Sequence, residues 1–382
     1  MNRQAFMVVG LAAMCAGTFI ASAQDESTAP PRRIPEVHFA QIDPPVVAQK
    51  DIGIHCVTSN SVTVEKPLEC AGFIWYQGRL LIISDRHEHV IFTSAIDIDT
   101  LKIAAPLPHV VVPNEQYLLQ DGESITLREH KDGSTYAYVM CSLSNDRGEQ
   151  SLPMRRHFAR MKVNMINGQF VAERARVINA SSIRESLHKH FDQLGIKPYR
   201  TYYEAFTGPE KNTYRWGNIE GITFTPDGKS LVCGLRNPLA GSKAMIAVLQ
   251  GIDEAFEAED ASLIKVTDLF PIDLGDRGVS DLSWDPVTRG YLIAAAKSNG
   301  PKLDKDQPFP PNTLDSALFW WSGSKKEKPR LFAVAPDMKL EAICRLGSSR
   351  FIAVGADEGD ESEGRLARQS TLTILDFTGF ER

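Results

Sequence analysis

The stretch Asn218-Ile-Glu-Gly-Ile-Thr-Phe-Thr-Pro-Asp-Gly-Lys-Ser-Leu-Val-Cys-Gly-Leu-Arg236 decides the fold. It opens near a carboxylate, Glu220, and runs on as a short alternating segment. It turns at Pro226-Asp227-Gly228 and returns as an apolar, β-branched run over residues 231–235. Alternation, a glycine-bearing turn and a second apolar run make a β-hairpin. Four other stretches have the same form. Glu69-Cys-Ala-Gly-Phe turns at Gly78 and returns over 80–84, and Glu123-Ser-Ile-Thr-Leu turns at Gly133 and returns over 136–142. Asp281-Leu-Ser-Trp turns at Gly290 and returns over 291–296, and Glu341-Ala-Ile-Cys turns at Gly347 and returns over 351–355.

Two further strand-like runs follow most copies, such as 90–96 and 103–112, or 318–321 and 330–334. The repeat is therefore a four-stranded antiparallel unit. Its openings stand at 69, 123, 220, 281 and 341, spaced by about 55–60 residues with one longer interval, a period that suits the blades of a β-propeller. The chain thus reads as all-β, a single β-propeller of five four-stranded blades, with six as the alternative if the N-terminal region forms more than one strand. The last copy shows three strands only, so the region around 54–64 is expected to supply its fourth and close the ring. The long interval holds an insertion over 180–218. Within it, residues 181–194 carry helical spacing (Ile183, Leu187, Phe191, Leu194), with Ser181 or Ser182 as N-cap and Gly195 ending the helix.

The 382 residues carry 42 Lys+Arg against 48 Asp+Glu, a formal charge of −6, and that balance lacks the basic surplus of a nucleic-acid binder. Arg3, the apolar run 5–20 and Ala21-Ser22-Ala23 have the three parts of a secretory signal peptide, residues 1–23. The expected product is periplasmic or secreted, with no membrane span, and monomeric. Residues 24–45 read as a Pro-rich extended leader, and 46–382 as the propeller domain. Beyond Cys15 the cysteines are Cys56, Cys70, Cys141, Cys233 and Cys344. With no CxxC pair and wide spacings, they are expected to be packed thiols rather than a zinc site.

Each hairpin leaves and returns to one end of the ring, so the opening carboxylates Glu69, Glu123, Glu220, Asp281 and Glu341 should meet there with Asp85, Arg236, Lys297 and Asp357. The longest connections emerge at the same end, which makes it the candidate site. Seven carboxylates against two cations favour either raised pKa values or a bound hard cation, Ca²⁺ foremost. In that reading the five opening carboxylates are the metal ligands, while Arg236, Lys297, Asp85 and Asp357 contact the ligand. Strand capping and ion pairing are the structural alternative. His87-Glu88-His89 reads as an exposed turn, and the acidic run from Asp357 to Glu363 as a solvated loop. Tyr202, Tyr203, Tyr214 and Trp216 read either as anchors of the insertion or as a stacking platform. The chain has no phosphate loop, nucleophile elbow or HExxH motif.

Asn218-Ile-Glu-Gly-Ile-Thr-Phe followed by Gly234-Leu-Arg-Asn-Pro-Leu resembles the hallmark of a bacterial family of unknown function, domain-of-unknown-function family 3616. Its pattern is Glu-Gly-Leu and then Gly-Leu-Arg-Gly-Pro, and here Asn237 stands where that family commonly has glycine. Asp121-Gly-Glu-Ser-Ile-Thr, Ser142-Leu-Ser-Asn-Asp-Arg, Arg155-Arg156 and Asp276-Arg-Gly-Val-Ser-Asp-Leu extend the likeness over roughly 69–357. The resemblance implies a propeller-like fold and no established activity. Glu-Gly-Ile at a strand start is also similar to the calcium-dependent lactonase propellers, where a strand-start glutamate is a metal ligand, and to the esterase-like phytases. That carry-over reaches only Glu220 and its equivalents. Gly-Leu-Arg-Asn-Pro resembles a motif of soluble quinone-dependent sugar dehydrogenases, over five residues only.

Two functions follow as expectations. One is an exported propeller that binds a small anionic molecule or a protein ligand at its channel face through a divalent cation. The other is a metal-dependent hydrolase of phosphate ester or lactone substrates, with Arg236 and Lys297 holding the anion.

Overall fold

The computed structural model describes residues 37–41, 47–48, 55–64, 69–104, 106–112, 115–144, 152–195, 218–297, 316–335, 338–357 and 369–378. The four repeats from Glu123 onward, and the first at Glu69, each become one antiparallel sheet. Blade 1 is Cys70–Tyr76, Arg79–Ser84, Val90–Ala95 and Leu107–Val110. Blade 2 is Gly122–Glu129, Thr135–Cys141 and His157–Ile166, with Gln169–Ala172 and Arg176–Asn179 pairing the two ends of that third strand. Blade 3 is Asn218–Phe224, Leu231–Ala240, Lys243–Gln250 and Lys265–Ile272. Blade 4 is Arg277–Asp285, Gly290–Lys297, Ser316–Trp321 and Arg330–Ala335.

Blade 5 begins with Lys339–Arg345, Phe351–Asp357 and Gln369–Asp376, and its fourth strand is His55–Val64 from the N-terminal side. The ring thus closes by the strand expected to close it. The N-terminal region forms more than that one strand, yet the blade count stays at five. Val37–Gln41 adds a fifth strand outside His55–Val64, and Val47–Ala48 adds one outside Arg330–Ala335. Residues 37–41 fall within the stretch read as an extended leader. Residues 1–36, which include the expected signal peptide, lie outside the described residues.

Five apolar clusters fill the five gaps between neighbouring blades. Tyr76, Leu81, Val139 and Met161 join blades 1 and 2, and Tyr138, Phe158, Phe224 and Cys233 join blades 2 and 3. Val232, Val279, Ile293 and Trp321 join blades 3 and 4, Leu318, Phe332 and Val354 join blades 4 and 5, and Phe73, Phe92, Cys344 and Leu372 close the circle between 5 and 1. Each blade is a sheet with two apolar faces, so a single blade could not bury its own surface. Cys70, Cys141, Cys233 and Cys344 are buried free thiols within this packing, as their spacing suggested.

The insertion carries the expected helix, Ser181–Gln193, with Ile183, Leu187 and Phe191 buried against blades 2 and 3 and Gly195 at φ +68 beyond its end; Leu194, expected on the same apolar face, is instead the C-cap and 52% exposed, because the helix stops before it. Its start differs. Ala180 is the N-cap, and the Ser181 N–H is met by the Asn179 side-chain oxygen at 3.0 Å, so neither serine caps the helix. Residues 196–217, with Tyr202, Tyr203, Tyr214 and Trp216, lie outside the described residues. A second, short helix, Ile252–Ala258, lies between the third and fourth strands of blade 3 and puts Phe256 into the same cluster.

At the axis the inner strands are tied by one carboxylate. Asp281 is 1% exposed. Its Oδ1 accepts from Ser124 Oγ at 3.0 Å and from the Leu282 N–H at 2.8 Å, and its Oδ2 accepts from the Ile343 N–H at 2.8 Å. The Phe73 N–H donates to it as well. Ser124 Oγ in turn accepts the Ile222 N–H at 2.9 Å. Asp281 and Ser124 therefore connect the inner strands of all five blades. The positions around them have to be small: a Cβ on Gly221 would lie 2.5 Å from the Leu282 backbone nitrogen, and one on Gly72 2.9 Å from the Ser124 Cα.

Replacing Asp281 with Ala leaves four buried donors without their acceptor. At about 1–3 kcal/mol for each donor that stays unsatisfied, the expected loss is on the order of 3–5 kcal/mol. Urea midpoints of the full chain measure it, and a loss under about 1 kcal/mol would remove Asp281 from this role.

Candidate functional site

Every inner strand carries one extra residue in its ladder to the second strand. The breaks fall between Cys70 and Gly72, Gly122 and Ser124, Ile219 and Gly221, Val279 and Asp281, and Leu340 and Ala342. The bulged residues are therefore Ala71, Glu123, Glu220, Ser280 and Glu341. A bulge bends the strand and re-aims its side chain, which is why bulges recur beside functional sites. The register also corrects the sequence alignment of the repeats. Three of the five opening carboxylates share the bulge position, whereas Glu69 stands two residues before it and Asp281 one residue after.

That shift of one residue separates two layers. Gly72, Ser124, Gly221, Asp281 and Ala342 form the dry layer at the axis. Glu123, Glu220 and Glu341 form the layer next to it, and they gather around Arg236. The Arg236 guanidinium pairs with Glu341 through Nη2 and lies 3.2 Å from Glu220 Oε2. Asn218 donates its side-chain N–H to Glu220 Oε1, and Lys339 Nζ meets Glu341 Oε1 at 2.8 Å. Arg236 is placed by close strand packing, since a Cβ on Gly278 would lie 2.2 Å from the Arg236 carbonyl oxygen and one on Gly234 2.3 Å from Val279 Cγ1. The glycine of the Gly-Leu-Arg motif is thus a packing requirement, and its arginine belongs to the site.

Two more carboxylates complete the cluster. Asp85 and Asp121 both raise the pKa of Glu123, together with Glu220, although burial is the largest cause. Asp121 accepts from Ser142 Oγ and, at 3.2 Å, from Ser144 Oγ, and it pairs with Arg155 Nη1 at 2.9 Å. Sequence reasoning missed Asp121, Asn218, Arg155 and Lys339. Asp121 and Asn218 each stand two residues before a bulged glutamate, and that spacing was the available signal. Burial pushes Glu220 up to about 8; Arg236 opposes the shift and Glu341 adds to it. The surrounding carboxylates hold the Arg236 guanidinium firmly in its charged form.

The other expected site residues lie elsewhere or join only in part. Asp281 is the axial tie. Glu69 Oε2 pairs with Arg86 at 2.6 Å. Lys297 stands opposite Arg277 in the blade 4 ladder, and burial lowers its pKa. Asp357 faces Lys339 across the blade 5 ladder, which puts its backbone at the same end of the ring. His87 is no exposed turn residue: it is 6% exposed and lies edge-on to Phe92, with the ring centres 5.3 Å apart. Cys141 is buried near Asp121 and Glu123, which together with burial keep it a thiol. The acidic run after Asp357 and most of the long connections lie outside the described residues. By chain order, the connections 145–151, 298–315 and 358–368 leave from the second strands at the end where the glutamates gather.

No family model matches the chain, and no curated protein matches it. The likeness to domain-of-unknown-function family 3616 therefore rests on its motifs. Among solved structures, the chain is similar to the PQQ-bound form of the aldose sugar dehydrogenase from Streptomyces coelicolor, with 12% identity, a TM-score of 0.42, and coverage of 86% of this chain and 99% of that one. It is also similar to Pseudomonas fluorescens PhoX in complex with vanadate, with 12% identity, a TM-score of 0.35, and coverage of 77% of this chain and 58% of that one. Both likenesses concern the fold alone.

The Glu220 shift has a sign. Its pKa is raised in the folded protein, so the native state holds a proton that the unfolded chain releases near its ordinary value of 4.5. Stability from this group is complete below that value and is lost as pH rises toward about 8. In buffer free of divalent ions, the urea midpoint is expected to fall across this window, and Glu220→Gln is expected to flatten the fall. An unchanged slope in the variant would assign the pH dependence to other groups.

Proposed function

We propose that the chain is a ligand-binding β-propeller whose channel mouth takes a divalent cation, Ca²⁺ foremost, and through it a small anionic ligand. The observation that carries this reading is the charge and chemistry of the mouth. Asp85, Asp121, Glu123, Glu220 and Glu341 gather with Arg236, Lys339 and Arg155, so negative charge is in excess within a largely buried space. All the donor atoms on the acidic side are oxygens, the ligands that a hard cation prefers. The fit is also local. Asn218 turns its N–H to Glu220, and its Oδ1 has no hydrogen-bond donor. Glu123, Glu220, Asp121 and the Asn218 carbonyl are the groups that would hold the ion, while Arg236 keeps Glu341 neutralised.

Binding rather than hydrolysis is favoured by what surrounds the hydroxyls. Ser142 and Ser144 both donate to Asp121, which is itself paired with Arg155, and a carboxylate held by a guanidinium is a weak base for activating either hydroxyl. Arg3, the apolar run that follows it and Ala21-Ser22-Ala23 support placing the protein in the periplasm or outside the cell. Ca²⁺-binding extracellular modules commonly work with dissociation constants of about 10⁻⁴–10⁻³ M.

Calorimetric titration and melting of the full chain, after chelator treatment and then with about 10 mM Ca²⁺, test this directly. A melting temperature raised by several degrees is expected. Glu123→Gln should abolish the Ca²⁺ response while leaving the chelated protein at least as stable, since burial and the neighbouring carboxylates already hold Glu123 against ionising and a neutral amide takes its place. No Ca²⁺ response in the wild-type chain, or an equal response in the variant, would overturn the reading.

A further inference from the structure

Arg236 stands apart from the other side chains of the mouth, because it joins two blades that are not neighbours. It belongs to the second strand of blade 3, while Glu220 is on the inner strand of that blade and Glu341 on the inner strand of blade 5. Its Nη2 lies 3.2 Å from Glu220 Oε2 and pairs with Glu341 Oε2. The guanidinium therefore crosses the inner strand of blade 4, where Gly278 lets the Arg236 backbone close in. The three side chains are nearly buried, at 10% exposure for Arg236, 1% for Glu220 and 4% for Glu341. Two carboxylates this close and this dry repel one another unless a cation is held between them.

Two further observations describe the kind of cation that suits this position. Register makes Ser280 the bulged residue of blade 4, the counterpart of Glu220 in blade 3 and Glu341 in blade 5. Ser280 is fully buried, and its Oγ has no hydrogen-bond partner among the described residues. Three oxygen-bearing side chains thus occupy equivalent positions on consecutive blades, and the middle one is unmatched. Arg236 Nε is likewise buried with no hydrogen-bond partner among the described residues. A guanidinium used as a fork would match two of its nitrogens to one carboxylate. Here the contacts run through Nη2 to two carboxylates, so the position uses the charge of arginine more than its fork. Lys339 Nζ holds the other oxygen of Glu341, Oε1 at 2.8 Å, and leaves Oε2 to Arg236.

We propose that Arg236 is a built-in cation, whose guanidinium occupies, among Glu220, Ser280 and Glu341, a position that a divalent ion would otherwise take. Oxygen donors from carboxylates and a hydroxyl are what a hard divalent ion prefers. Arg236 thereby fixes the capacity of the mouth. The carboxylates contributed by blades 2 and 3 are left for the exchangeable ion, and the tie between blades 3 and 5 stays in place at any Ca²⁺ concentration. The first of these roles rests on the cation-binding reading above, and the second on the Arg236 geometry alone.

The experiment compares the full wild-type chain with Arg236→Met and with the double variant Arg236→Met/Glu341→Gln. Each is stripped with chelator and titrated with Ca²⁺ to count bound ions, and each is melted in chelator and in about 10 mM Ca²⁺. Arg236→Met is expected to take up one Ca²⁺ per chain more than the wild type. In chelator it should melt below the wild type, and Ca²⁺ should restore most of that loss. The double variant no longer has the carboxylate pair, so it should bind the wild-type number of ions. An Arg236→Met chain that binds the wild-type number, or that stays unfolded in Ca²⁺ while the double variant folds, would overturn the built-in cation. So would an additional ion that persists in the double variant. A wild-type chain that binds no Ca²⁺ counts against the cation-binding reading alone, because the quantity read here is the difference between variant and wild type.

Discussion

The fold depends on a single buried carboxylate at the axis of a five-membered ring. Five sheets packed around a centre leave five strand edges facing one another, and each edge carries backbone N–H groups that the dry interior cannot leave unpaired. Asp281 answers this at one depth by accepting from the inner strands of blades 1, 2, 4 and 5, while Ser124 brings in blade 3. Such a tie works only if everything else at that depth is small, which is what Gly72, Gly221 and Ala342 supply. The same requirement appears toward the other end of the inner strands, where the buried Arg345 holds Asp285 at 2.5 and 3.0 Å and the Phe377 carbonyl at 2.6 Å.

Closing the axis so tightly shapes the site. Each inner strand bulges immediately before the narrow layer. Three of the five bulged residues are glutamates. Arg236 between Glu220 and Glu341 shows that the mouth needs compensating positive charge, and it supplies part of that charge from within the chain. Arg155, from the turn between the second and third strands of blade 2, adds a further cation by pairing with Asp121 at 2.9 Å.

Much of this was legible in the residue pattern. Alternation, glycine turns and a period of about 55–60 residues give hairpins, then blades, then a ring, because β-strands with two apolar faces have few other ways to be buried. The strand missing from the last repeat pointed to His55–Val64. Other features were not legible. A hairpin read by eye aligns on its first carboxylate, and a bulge moves that alignment by one or two residues without altering the alternation. Glu69 and Asp281 were grouped with the three glutamates for this reason. His87 looked like part of an exposed turn because its burial comes from Phe92 on the following strand. The helix has three of its four expected buried residues, Leu194 being exposed past its end, and its first N–H is met by Asn179 from the preceding strand.

The sequence by itself favoured five blades over six and pointed to the strand that closes them, the packed thiols and the end of the ring where acidic residues collect, since all of these follow from local periodicity and chain order. Only the tertiary structure decided that Asp281 belongs to the axis and Glu123, Glu220 and Glu341 to the mouth, and that Arg236 lies among the glutamates. Those outcomes depend on bulge register and on distances between strands far apart in the chain. A one-residue displacement turns a carboxylate at the mouth into a buried tie, and nothing in the local pattern records it.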